Sequence, residues 1–167
     1  MTHKNKHNMP LSDAIRARIR YQHQAITEII AGLSEERLKQ RINPDKWSAF
    51  ENIAHLTAYQ PMFIKRLERI QQESAPVFER YVAEKDPLFP GYLDKPLAAL
   101  LSEIDARRGT IIAILEAMDE ATLQRTGVHP RYGTLSIPQW TEFFLLHEAH
   151  HLFTTFILVQ ELRTSGS

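Results

Sequence analysis

Apolar residues recur at helical spacing along four stretches of this chain, separated by segments rich in proline and glycine. The first stretch covers residues 12–31, where Ile15, Ile19, Ile26, Ile29 and Ile30 mark one face. Ser12 reads as its N-cap and Gly32 as its stop. A short helical turn over residues 34–40 follows. Ser48 with Glu51 three residues on forms a capping box, which opens a second helix running to about residue 73. Pro61 lies inside it and predicts a bend or a split near Tyr59. Residues 74–93 read as a long loop with Pro76, Pro87, Pro90 and Gly91, and its Phe78, Tyr81, Phe89 and Tyr92 fit a lid or a packed surface loop. Asp94 as N-cap and Pro96 in the first turn open a third helix to about residue 118. After Gly127-Val128-His129-Pro130-Arg131-Tyr132-Gly133, a second capping box, Ser136 with Gln139, starts a fourth helix that ends near Arg163. No convincing strand emerges. The expected fold is all-α, an up-and-down four-helix bundle forming a single domain over residues 12–163, with an irregular all-α fold as the alternative. Residues 1–11, with His3 and His7, read as a disordered leader, and residues 164–167 as a flexible tail.

One stripe of the fourth helix runs Trp140, Phe144, His147, His151, Thr154, Leu158. His147 and His151 are one turn apart on the same face, the spacing at which two imidazoles hold one divalent cation. Buried histidines must satisfy both ring nitrogens, and each unmet polar group costs about 1–3 kcal/mol, so a shared ligand is one way to settle the pair. His55 sits about seven residues into the second helix. In an up-and-down bundle helices two and four run parallel, and a rise of about 1.5 Å per residue brings all three histidines within a turn or two of one level. The other reading is two ordinary hydrogen-bonded histidines and an unrelated third. The string His147-Glu148-Ala149-His150-His151 also matches the metalloprotease pattern H-E-x-x-H. That reading needs a third ligand, and only Glu161 follows, with no strand to receive a peptide. Glu148 lies about 80° off the line of the two histidines. It is a candidate to bond an imidazole or a metal-held water, against the plainer expectation of a carboxylate facing solvent or a neighbouring arginine. Tyr59, one turn beyond His55, and His129 are further candidates for the catalytic site. Asn52, Gln60 and Glu51 are candidates to support the ligands, Trp47 is an anchor at its helix start, and His150 is a non-ligand.

Charge and composition narrow the function. Lysine plus arginine equals aspartate plus glutamate at 20 each, so no basic surplus is available for nucleic acid. There is no cysteine, which removes disulfides and an internal thiol nucleophile and fits a cytoplasmic location. The most apolar stretch, residues 143–159, is interrupted by Glu148 and three histidines and makes a poor membrane span. No signal peptide, glycine-rich phosphate loop or G-x-S-x-G elbow is visible.

Three segments together resemble the DinB/YfiT-like superfamily of metal-binding four-helix bundles. They are Lys46-Trp47-Ser48 with His55-Leu56, then His129 to Gly133 with Leu135-Ser136, and finally residues 140–151. The resemblance covers about residues 11–163. It implies a metal triad on His55, His147 and His151, with open positions for water or substrate. Zinc or nickel are the first expectations for the ion, with iron, manganese or copper also compatible. It further implies enzymes that transfer a low-molecular-weight thiol to a small electrophile. Metal-dependent hydrolysis and a non-catalytic metal- or ligand-binding role stand as alternatives. The expected partners are a small-molecule substrate, neither nucleic acid nor membrane, and a second copy in a homodimer.

Overall fold

The structure, a computed structural model, describes residues 11–165; the rest of the expected leader, with His3 and His7, and residues 166–167 lie outside it. Eight helices and one hairpin follow in order: α1 Asp13–Tyr21, α2 Ala25–Ile30, α3 Glu35–Lys39, α4 Ala49–Gln72, α5 Phe89–Leu93, α6 Leu97–Glu116, α7 Glu120–Leu123, β1 Thr126–His129, β2 Gly133–Ser136 and α8 Ile137–Thr164. The bundle is built from the α1–α2 pair, α4, α6 and α8.

The start signals work as local chemistry requires. Ser12 accepts a bond from the Ile15 amide, and Ser48 and Ser136 both close capping boxes, with Glu51 and Gln139 reaching back. Gly32 takes the positive φ (81°) that ends the first segment. Three expectations are corrected. The first helix is not continuous: a tight 3₁₀ turn at Gln22–Gln24 divides it, and the Gln22 side chain there donates to the Leu145 carbonyl at 2.8 Å. Pro61 does not split the second helix. α4 runs unbroken for 24 residues because Tyr59, Gln60, Phe63 and Ile64 around the proline are all buried, and packing outweighs one forgone backbone bond. Asp94 does not cap the third helix but closes α5, and α6 begins behind Pro96 with no side-chain cap from its own segment. Glu35 of α3 takes that role, accepting the Leu97 amide at 2.8 Å.

The four-helix bundle is present, but its course is not the simple alternation that would set helices two and four parallel. Contacts between α4 and α8 run in opposite sequence order: Asn52 meets His151, His55 meets His147, and Phe63 meets Phe144. The two are therefore antiparallel. α1 and α8 are parallel, since Arg18 pairs with Glu142 and Gln22 with Glu148. α4 and α6 are parallel too: Phe50 and Ile53 share an apolar cluster with Leu100 and Ile104, whereas Leu67 and Ile70 share another with Ile111 and Leu115. The order is up, down, down, up. Two parallel helices in succession require a crossover along the bundle, and the long loop with α5 supplies it.

The two apolar clusters leave a polar layer between them. Arg108 and Glu148, each 1% exposed, form an ion pair there. Arg108 also donates to the Ile19 carbonyl at 3.1 Å and lies over the Phe144 ring. Gln22 donates to the same Glu148 carboxylate at 3.0 Å. One guanidinium thus ties α6 to α1 and α8.

The absence of strands is the fourth correction. β1 and β2 form an antiparallel pair from Thr126↔Ser136 to His129↔Gly133. Gly127 is required there, because a Cβ would lie 2.6 Å from the Phe78 ring. The hairpin holds the indole of Trp140, which donates to the Gly127 carbonyl at 3.3 Å.

Candidate metal centre

α4 and α8 carry His55, His147 and His151 into one corner of the polar layer. One nitrogen from each ring can be chosen so that all three lie within 4.8 Å of one another. Nε2 of His55 and Nε2 of His147 stand 3.0 Å apart, and the three ring centres are separated by 4.4, 4.7 and 5.0 Å. Tetrahedral bonds of about 2.0–2.1 Å to nitrogen set donors roughly 3.4 Å apart, so small side-chain adjustments fit the trio around one cation.

Each ring is held from outside. His151 keeps Nδ1 at 2.8 Å from Oδ1 of Asn52, whose own amide donates to the Ser48 carbonyl at 2.8 Å. That contact places the proton on Nδ1 and leaves Nε2 as the electron-pair donor. Trp47 flanks His55 and His151, Tyr59 lies 4.1 Å from His147 between ring centres, and Tyr81 of the crossover stacks on His55 at 5.7 Å. Nδ1 of His55 and of His147 are buried without a hydrogen-bond partner. Nδ1 of His23, away from the trio, is in the same condition. Replacing Asn52 by alanine is expected to weaken zinc affinity about 10–100-fold while leaving the helix content unchanged, as read by competition with a chelating dye and by circular dichroism.

Burial dominates the electrostatics. It lowers His55 to about 4, and with the neighbouring imidazoles it lowers His147 to about 3 and His151 to about 2. All three are neutral at neutral pH, the state in which imidazole donates to a metal. An unfolded histidine titrates near 6.5, so the unfolded chain binds more protons as pH falls below that value. The stability present above pH ~6.5 is lost progressively on acidification, down to about 4 for His55, about 3 for His147 and about 2 for His151. The metal-free protein should show its urea midpoint falling steadily across that window, and His147→Leu should flatten the slope; an unchanged slope would contradict the assignment.

A cavity of about 300 Å³ opens over the trio, lined also by Tyr59, Arg66, Tyr81, His129 and Phe143. Tyr59 and His129 therefore reach the site. The Tyr59 hydroxyl accepts from Arg66 at 3.3 Å. Nδ1 of His129 accepts the Arg131 and Tyr132 amides at 3.1 Å each, so its proton sits on Nε2. Burial and the charge of Arg66 hold that ring neutral. Glu148 does not line the cavity; Arg108 holds it inside the bundle. His150 is exposed. Of the supporting candidates only Asn52 touches the trio: Gln60 meets Arg108, and Glu51 serves the cap and pairs with Arg41. Arg66 was missed from sequence, and Tyr81 was read only as an aromatic of the lid or packed loop. Arg66 lies eleven residues beyond His55, three helical turns along the same stripe, and that was its available signal.

Comparison with known proteins agrees with this architecture. The uncharacterized protein YuaE of Bacillus subtilis (strain 168) is 27% identical over 140 residues, spanning 74% of this chain and 83% of that one. YfiT from Bacillus subtilis, described as a probable metal-dependent hydrolase with an unusual four-helix bundle topology, superposes with a TM-score of 0.73 at 15% identity, covering 92% of this chain and 87% of that one. TT2238, a four-helix bundle protein, gives 0.62 at 19% identity, covering 85% and 95%. The sequence model of the DinB superfamily matches residues 18–154, most of the chain, which therefore belongs to the DinB superfamily.

Proposed function

We propose that this chain is a metalloenzyme that holds one divalent cation, zinc or nickel first, on His55, His147 and His151, and transfers a low-molecular-weight thiol to a small electrophile. The observation that carries the proposal is the convergence of three neutral imidazoles at the floor of a cavity. Bound there by His55, His147 and His151, a divalent cation would supply Lewis acidity to lower the pKa of a thiol or a water towards neutrality. Asn52 orients His151 for that task. Tyr59 and the Nε2–H of His129 offer donors to a substrate oxygen, and the aromatic wall of Trp47 and Tyr81 limits water. The thiol comes from outside, since the chain has no cysteine.

The thiol reading is favoured over hydrolysis by the fate of the carboxylates. Glu148 is sequestered by Arg108, and Glu84, which also lines the cavity, is exposed to solvent. A thiol needs only a modest pKa shift, whereas attack by water gains from an adjacent base. Hydrolysis is the second reading, on the likeness to YfiT. Metal-loaded protein should turn over an electrophile panel only with added glutathione, cysteine or a related thiol, and His147→Ala should be inert; turnover without thiol would replace transfer by hydrolysis. The reading includes a cytoplasmic location and a homodimer. Among the described residues no helix is long and apolar enough to cross a membrane. Leu146, Phe153 and Ile157 give α8 an exposed apolar face, and sedimentation tests whether it pairs two copies.

A further inference from the structure

A second concavity of about 450 Å³ adjoins the cavity over the histidines, and the two share Arg66, Arg80, Tyr81 and Val82. Its walls come from α4 and the crossover. Five cationic side chains line it, Lys65, Arg66, Arg69, Arg80 and Lys85. Only two carboxylates accompany them. Asp86 is already engaged, accepting the Tyr81 hydroxyl and the Leu88 amide at 2.9 Å each, and Glu79 is exposed. This surplus stands out on a chain of zero net charge. Arg69 is paired with Glu73 at 2.6 Å. Among the described residues Lys65, Arg80 and Lys85 have no carboxylate partner. Arg66 is fixed at the junction by the Glu79 carbonyl at 2.9 Å and by the Trp140 ring.

We propose that this groove is an anion subsite: it takes the carboxylate or phosphate group of a small molecule whose reactive end lies over His55, His147 and His151. The placement of the reactive end rests on the metal-centre reading; the anion subsite itself does not. Arg80, which lines both concavities, offers a planar fork that matches either anion, with Lys65 and Lys85 as point charges beside it. Together the two spaces have the size of a site for a small organic ligand. The histidines select reactivity and the groove selects acidity.

The test uses metal-free full-length protein at low ionic strength, so that no anion binds through a cation. Glutarate, its neutral diamide and inorganic phosphate are titrated by calorimetry. Glutarate or phosphate is expected to bind at one equivalent, with affinity falling as salt rises. Arg80→Ala and Lys65→Ala, both at exposed positions, should each weaken it at least tenfold; the diamide should not bind. Tighter glutarate assigns a carboxylate ligand and tighter phosphate a phosphorylated one. Binding of neither anion, equal binding of the diamide, or full affinity in the Arg80→Ala, Lys65→Ala double variant overturns the proposal. His147→Ala should retain anion binding, which separates failure of the groove from failure of the metal centre.

Discussion

His147→Ala and His151→Ala are each expected to lose stoichiometric metal, with affinity falling by more than the roughly 10–100-fold that removal of a supporting hydrogen bond costs. In the proposed centre each of these side chains would supply one of three donors, and no further histidine, aspartate or glutamate joins the trio among the described residues. His150 is the nearest replacement in sequence, but its side chain faces solvent. Elemental analysis of untagged protein gives the metal content directly. In the metal-free state Nδ1 of His147 is buried without a partner, at a cost of about 1–3 kcal/mol. His147→Leu should therefore melt no lower than the wild type without metal, and should fail to gain stability when zinc is added. The ordering inverts with metal present because binding to the folded state alone raises its stability. Wild-type metal content in both alanine variants would refute the centre.

The second large effect is structural. Arg108→Ala and Glu148→Ala are each expected to destabilise the fold by about 3–5 kcal/mol, because the surviving charge is left buried and uncompensated. For a chain of this size that lowers the melting temperature by roughly 6–20 °C. The guanidinium also bonds the Ile19 carbonyl of α1 and the carboxylate also accepts from Gln22 in the turn that follows, so each deletion disturbs that segment as well. The double replacement Arg108→Met with Glu148→Leu should recover most of the loss, since apolar side chains of similar size remove both charges together. Differential scanning calorimetry of the three variants decides it. Equal losses in single and double variants would show that volume, rather than charge, is what the layer needs. The folded double variant should bind metal normally, because Glu148 does not face the trio.

Much of this was legible before the structure. Serine with an acid or amide three residues on marked the starts of α4 and α8, because capping is a local transaction that neighbours rarely override. The i, i+4 pair on α8 was legible for the same reason. What escaped depended on partners distant in the chain. Nothing around Gln22 breaks a helix locally; the turn there follows the reach of its side chain to Leu145 and Glu148. Leu97 is capped by Glu35, more than sixty residues earlier. The hairpin strands are four residues each, too short for alternation to register. Helix direction is not encoded in periodicity at all, which is why His55 was placed level with its partners through a parallel α4 and α8 that turned out antiparallel.

Because α4 and α6 point the same way, the chain is obliged to travel back along the bundle between them, and Tyr81 and Arg80 ride on that return path over the histidines. Phe78, Ala83 and Phe89 anchor that path in the two apolar clusters, whereas Arg80 is exposed and Tyr81 half-buried. A new acid, apolar or aromatic residue at Arg80 or Tyr81 should alter what is admitted while the histidine floor stays intact. Anchored at its apolar points and open between them, one necessary detour can retune the doorway without touching the frame.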